Sequence, residues 1–304
     1  MQRFLLQRLL QGVLIVLVVS LIVFCFVHAS GDPAALLVPE QATPAEAAQY
    51  RQALGLDRPL YQQYLHFMSQ FWFSETIRSF RFRQPLLPLV LQHLRITLML
   101  AGLTILISSL LAVPLGIIAA LRRGSGFDVG IRLVAVLGQS MPSFWVAMLL
   151  MLVLAVHLRL FPVSGLGVKN IVLPTITLAF FQMAILLRLV RSEMLEVMSQ
   201  DYVRTARSKG LHELSVTVRH ALKNAAIPVI TVMGLQFGAL VQGAIVVEPI
   251  FAWPGLGWLL VEAIAARDFP VVVAGAIIAA VCVTMVNLGV DLLYGWLDPR
   301  IRIH

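Results

Sequence analysis

Apolar residues in this chain fall in long unbroken runs rather than in the striped or alternating patterns of a water-soluble fold. Six runs stand out, at about 9–28, 96–120, 133–156, 171–190, 227–247 and 271–294. Each is close to the roughly 20 helical residues needed to cross a hydrocarbon core about 30 Å thick. Strands of a membrane β-barrel would be about ten residues long, with polar residues at alternate positions. The pattern therefore predicts an all-α, polytopic membrane protein with six transmembrane helices.

The polar intervals between the runs are unequal. About 65 residues separate the first two runs, a connection long enough to hold folded elements of its own. Within it, Thr43-Pro44-Ala45-Glu46 reads as an N-cap, a first-position proline and a capping-box Glu, with Gly55 as the stop. A short external helix is expected at 44–53. Farther on, FRFRQPLLP at 80–88 mixes aromatic and basic side chains, which suits a surface that meets another protein better than a nucleic-acid site. The interval 121–132 is short and basic, and 157–170 is rich in Pro and Gly. The interval 191–226 differs from all of these, being polar yet helical in pattern.

Composition sharpens the membrane reading. The 304 residues are 59% hydrophobic and 12% charged, with mean hydropathy +0.88, whereas soluble domains are about 45–50% apolar. The first run follows Arg3 and Arg8, as a secretory signal would. Its apolar stretch exceeds the roughly 7–15 residues of a signal core, which favours an uncleaved helix. Cys25 and Cys282 both lie in apolar runs and offer neither a disulfide framework nor a metal site.

Charge sets the orientation. With the N-terminus inside, the inner segments hold Arg3, Arg8, Arg122, Arg123, Arg132, Arg188, Arg191, Arg204, Arg207, Lys209, Arg219, Lys223, Arg300 and Arg302, which are 14 of the 23 Lys/Arg. Six of the other nine lie between Arg51 and Arg95, in a connection too long for its charges to weigh on topology. Both termini are expected inside, and the net charge of +8 is expected first of all to anchor the inner leaflet lipid. The chain then divides into an N-terminal transmembrane helix (1–30), an external segment (31–93), a transmembrane core (94–295) that includes the cytoplasmic block 191–226, and a cytoplasmic tail (296–304).

The block repays closer reading. Asp201 suits a helix start, and Gly210 sits where a left-handed residue would end a helix of about two turns. After it, Leu211, Leu214, Val218, Leu222 and Ala225 recur on what would be one apolar face of a second helix leading into the fifth span at Pro228. Two short helices with exposed Arg and Lys could pass for a helix-turn-helix. A block pinned at both ends to membrane spans has no easy access to a major groove, so nucleic acid is not an expected partner. An interfacial segment held by anionic lipid is a second reading; a docking surface for a cytoplasmic protein is the first.

These residues resemble the inner-membrane permease subunits of binding-protein-dependent ABC importers, whose cytoplasmic loop carries Glu-Ala-Ala, three residues and Gly. Here Thr205-Ala206-Arg207 and Gly210 occupy those places, with Ala226-Ile227-Pro228 at the end of the pattern. The Thr and Arg variants resemble the branch that serves dipeptides, oligopeptides and nickel. GDPA at 31–34, LGLDRPLYQQY at 54–64, FPVSG at 161–165, VLPT at 172–175, VEPIFAWPGLG at 247–257, RDFPV at 267–271 and LDPRIR at 297–302 are similar to that branch too, while Trp258 and Gly295 depart from it. Glu46-Ala47-Ala48 is a decoy, because Gln52 stands in the Gly position and the segment is external.

The resemblance implies a type I ABC importer permease core in the bacterial inner membrane. It also implies a second, homologous permease as heterodimer partner, two cytoplasmic ATP-binding subunits and an external solute-binding protein. The solute would be a di- or oligopeptide, or else nickel, a metal chelate or an opine-like compound. Arg204, Thr205, Ala206, Arg207, Lys209 and Gly210 would form the coupling helix that meets the ATPase. No G-x-x-x-x-G-K-[ST] loop occurs in the chain, so ATP and Mg would be used by the partner subunits, with no cofactor bound here.

Polar residues inside the runs are candidates for the translocation path: Gln139, Ser143, Gln182, Gln236, Gln242 and Asn287. Helix-packing hydrogen bonds are the alternative use of such groups. Carboxylates near mid-membrane are lacking in the runs, which counts against an ion-coupled secondary transporter. Neither H-E-x-x-H nor G-x-S-x-G occurs, so nothing marks an intramembrane enzyme.

Overall fold

The computed structural model describes residues 2–30, 52, 57–74, 76–165 and 167–297. The helix expected at 44–53 falls outside them apart from Gln52, as do the motifs at 31–34 and most of 297–302. The described elements are helical: α1 (Gln2–Ser30), α2 (Leu60–Phe73), α3 (Leu86–Leu121), α4 (Gly126–Ser140), α5 (Ser143–His157), α6 (Val172–Met198), α7 (Asp201–Ser208), α8 (Glu213–Ile250), α9 (Leu256–Ala265) and α10 (Phe269–Leu297). Five of the helices are long and apolar enough to cross a membrane, and α4 with α5 makes a sixth if the bent pair counts as one span.

Four of the six spans differ from the expected boundaries, for physical reasons. The third run, 133–156, is not one continuous helix, because α4 and α5 meet at a 105° bend. Pro142 lacks an N–H and disfavours a helical residue before it, and Met141 is accordingly extended, with φ −87° and ψ 130°. The last turns of α5, from Met151 to His157, are wound as a π-helix. α3 begins at Leu86 rather than near 96, since Gln92, His93 and Arg95 lower the local hydropathy without lowering helix propensity. α6 and α8 likewise overrun their apolar windows into polar sequence, to Met198 and back to Glu213.

Two compact units are present: residues 1–96 with 254–285, and 97–253 with 286–304. In the first, Phe24 and Val27 of α1, Phe71 of α2, Leu86, Leu89 and Val90 of α3, and Leu256, Leu259, Val271 and Ile277 of the later helices share one core. α2, which the apolar runs did not reveal, has Tyr64, Phe67, Met68 and Phe71 at the three- and four-residue spacing that puts them on one face. Ser20 and Tyr64 join α1 to α2 by a 2.7 Å hydrogen bond. The departure at Trp258 has a structural use, since its indole stacks on His93 with centroids 6.0 Å apart.

The second unit is built around α6. Leu186, Leu187, Val190 and Met194 are buried, against Ala112 and Ala120 of α3 and Ala221, Ala225 and Val229 of α8. Glycines allow the approach: a Cβ at Gly116 would lie 2.9 Å from Val190 Cβ, and one at Gly138 would lie 2.7 Å from Ala184 Cβ. Gly234 of α8 sits as closely on α10, where a Cβ would meet Val290 Cγ2 at 2.6 Å. Close contact through small residues is how membrane helices gain dispersion energy when lipid supplies no hydrophobic drive.

Candidate functional site

α7 is a short helix whose ends are both set by local chemistry. Asp201 in its first turn complements the positive end of the helix dipole. At the other end Gly210 has φ +76°, the left-handed region. Its N–H donates to Arg207 O at 2.9 Å, and the Leu211 N–H donates to Ala206 O at 3.4 Å. That pair of reversed bonds is a Schellman stop, which satisfies carbonyls the helix leaves open. The chain turns there and His212 starts α8, its Nδ1 accepting from the Leu214 N–H at 3.3 Å.

α7 folds back on the start of α8. Val203 and Ala206 are buried against Val216, Val197 and Met198. Arg207 sends a two-pronged ion pair to Glu213, Nη2 to Oε1 at 2.6 Å and Nε to Oε2 at 3.1 Å. This pairing pushes the Arg207 guanidinium further above its ordinary pKa, keeping it charged at any physiological pH. One turn nearer the N-terminus, Asn224 Nδ2 donates to Tyr202 Oη at 3.0 Å. The opposite face of α7 carries Asp201, Arg204, Thr205 and Ser208, all exposed, and Lys209 and Gly210 continue it. Thr205 Oγ1 is satisfied by Asp201 O at 2.9 Å, and the Arg204 side chain is 75% exposed.

Ala206 is turned inward against α8, because it follows Val203 by three residues on the same side of the helix. The expected apolar row holds only in part: Leu211, Leu214 and Val218 are exposed, whereas Leu222 packs against the core and Ala225 is buried in it. The buried residues are Val216, Thr217, Ala221 and Ala225. Residues 216–222 form a π-turn, which widens the repeat and rotates the row away from a 3.6-residue period.

A second cluster, which single-sequence reading missed, joins the first turn of α4 to the C-terminal part of α6. Asp128 is 1% exposed and takes Arg191 Nε on Oδ1 at 2.5 Å and Arg191 Nη2 on Oδ2 at 3.0 Å. The Gly124 N–H also donates to Oδ2, at 3.0 Å, and the Asp128 N–H donates to Ser125 Oγ at 3.3 Å. Ser125 as an N-cap with Asp128 three residues on is a readable helix start, but the partner stands 63 residues away.

The polar residues of the spans differ in burial and in partners. Gln182 is buried within the α6 packing, and its Nε2 has no hydrogen-bond partner. Gln139 is half-buried and donates to Ala184 O at 3.4 Å. Ser143, at the start of α5, and Gln236 are half-buried, whereas Gln242 and Asn287 are exposed. Asn287 also borders the close α8–α10 contact, with Oδ1 3.5 Å from where a Cβ on Gly238 would stand. Glu248, fully buried at the end of α8, accepts from Thr97 Oγ1 at 2.6 Å. Among the described residues no His, Cys, Asp and Glu cluster could hold a metal ion, and Cys25 and Cys282 are free.

Residues 112–303 match the model of the binding-protein-dependent transport system inner membrane component family, and residues 1–101 match the N-terminal model of such membrane components. The dipeptide transport system permease protein DppB of Escherichia coli (strain K12) is 38% identical, with 99% of each chain covered. A putative peptide transport system permease protein of Brucella abortus (strain 2308) is 40% identical, again over 99% of each chain. The di/tripeptide transport system permease protein DppB of Pseudomonas aeruginosa (strain UCBPP-PA14) is 39% identical over 93% of this chain and 94% of its own. Among solved structures, an amino acid ABC transporter with histidines matches with a TM-score of 0.52 and 18% identity, covering 68% of this chain and 93% of that one. That likeness shows a common fold.

Proposed function

The chain belongs to the inner-membrane components of binding-protein-dependent transport systems, and on that premise we propose that it is one of two permease subunits of an ATP-driven importer of di- or oligopeptides. It is a multi-pass inner-membrane protein and a transport subunit. The peptide assignment rests on 38–40% identity over nearly the whole chain to permeases named for dipeptides, di/tripeptides or peptides. No comparison favours nickel or a chelate.

The observation that carries the mechanism is α7, a basic helix held by its back to α8 and ending at a left-handed glycine. In the proposed assembly Arg204, Thr205, Lys209 and Gly210 face a groove of a cytoplasmic ATPase. Arg207, half-exposed at the edge, is shared between that surface and Glu213. Ala206 acts from behind, as the small residue that lets α7 lie close on Val216. ATP and Mg are handled by two such ATPase subunits. A homologous permease completes the pore, and an external binding protein delivers the solute. Both termini lie on the ATPase side, as the distribution of basic residues favours.

Gln139, Ser143, Gln236, Gln242 and Asn287 are the side chains in this scheme with access to a path between the two permeases. Gln182 joins them only in a state in which α6 parts from its neighbours. The deciding experiment reconstitutes the full importer and measures binding-protein-stimulated ATP hydrolysis with dipeptides, longer peptides or Ni²⁺. Stimulation by peptides and not by Ni²⁺ is expected, and the reverse order would overturn the assignment.

A further inference from the structure

α4 is fastened to α6 at two points of different character. Near the C-terminal end of α4, Gly138 lies on Ala184 at a separation that excludes a further methyl group. In the first turn of α4 stands the buried Asp128–Arg191 fork, with both carboxylate oxygens used and the Gly124 N–H added from the α3–α4 turn. Arg132, 3.8 Å from Oδ1 and mostly exposed, is the other charge facing Asp128. Beyond Arg191, α6 runs only to Met198, and Ser199 and Gln200 lead straight into α7. At its far end α4 stops at the Met141–Pro142 bend.

A buried ion pair is a poor way merely to hold two helices together. Desolvation offsets most of the attraction, and apolar residues of equal volume hold as well or better. What a two-pronged pair adds is a fixed angle and register, since both hydrogen bonds fail together if either helix slides or rotates.

We infer that Asp128 and Arg191 are a positioning pair that makes α4 move as one body with α6, so that displacement of α7 reaches the bend at Pro142. The inference rests on α7 being the ATPase-docking helix. Motion of α7 pulls the inner end of α6, the fork and the Gly138–Ala184 contact carry α4 along, and the break before Pro142 is where the movement is spent.

The test uses the complete importer in proteoliposomes. Arg191→Lys keeps the charge but loses the fork, and the double substitution Asp128→Leu with Arg191→Met replaces the pair by apolar bulk. In both, membrane level, ATPase copurification and basal ATP hydrolysis are expected to stay near wild type. Radiolabelled dipeptide imported per ATP should fall by about tenfold, the scale of one lost charge-assisted hydrogen bond. A purely structural role would let the apolar pair restore transport, so normal import per ATP in either variant overturns the inference. Arg204→Glu with Lys209→Glu separates the two levels: if that variant still holds the ATPases and transports, the docking premise fails whatever Asp128 does.

Discussion

Replacing Gly210 tests whether the shape of the α7–α8 corner, and not only its charge, is needed. Gly210 has φ +76°, and an added Cβ would meet nothing within 4 Å. Sterics are therefore absent from the cost, which is entirely backbone strain. For an L-residue the left-handed conformation costs about 1–2 kcal/mol, with Asn the best tolerated after Gly. A cost of about 1.4 kcal/mol is about a tenfold loss in the population of the correct corner. Gly210→Ala should thus bind the ATPase subunits several-fold more weakly, Gly210→Val more weakly still, and Gly210→Asn close to wild type. Gly210→Asp has nearly the shape of Asn, so any further loss reports its negative charge beside Arg207 and Lys209. The assay is ATPase retention on the purified permease pair over a salt series, together with uptake at equal membrane level. If Ala and Asn behave alike, or all four match wild type, the left-handed corner is not what the ATPase reads.

Three further outcomes follow from particular contacts. Gly138→Val would drive side-chain atoms into Ala184 Cβ and Phe180 O, 2.7 and 3.3 Å from the ideal Cβ position; overpacking of about 1–3 kcal/mol should lower the midpoint of heat inactivation in detergent. Glu213→Gln should cost only about 0.2–1 kcal/mol, since Arg207 and Glu213 are 40% and 53% exposed and water screens the pair. A large drop in its midpoint would show that the pair bears more of the corner than its exposure allows. Gln236→Leu and Gln242→Leu should lower peptide uptake at normal membrane level, with the larger loss at the exposed Gln242; unchanged uptake in both removes them from the path.

The two ways of reading the chain succeeded at different places. The C-terminal stop of α7 needs only residues 206–211, so Gly210 could be placed without a fold, and its +76° φ agrees. The span at 133–156 contained its own correction in Met141-Pro142, yet hydropathy averages across a proline and does not register a 105° turn. α2 escaped because its apolar stripe is short and partly aromatic, too brief to look like a span. Leu211, Leu214 and Val218 fall off the packed face that Leu222 and Ala225 keep, because the π-turn at 216–222 shifts the phase between the two ends of the row.

Membrane residence, the all-α class and the position of the basic helix were settled along the chain itself, since each depends on neighbours within about a turn or on a 20-residue hydropathy sum. Which face of α7 is covered, which glycines admit a neighbouring helix, and the pairing of Asp128 with Arg191 were settled only by folding. Those contacts join residues far apart in sequence, and their energies exist only once α6 has brought α3, α4 and α8 together.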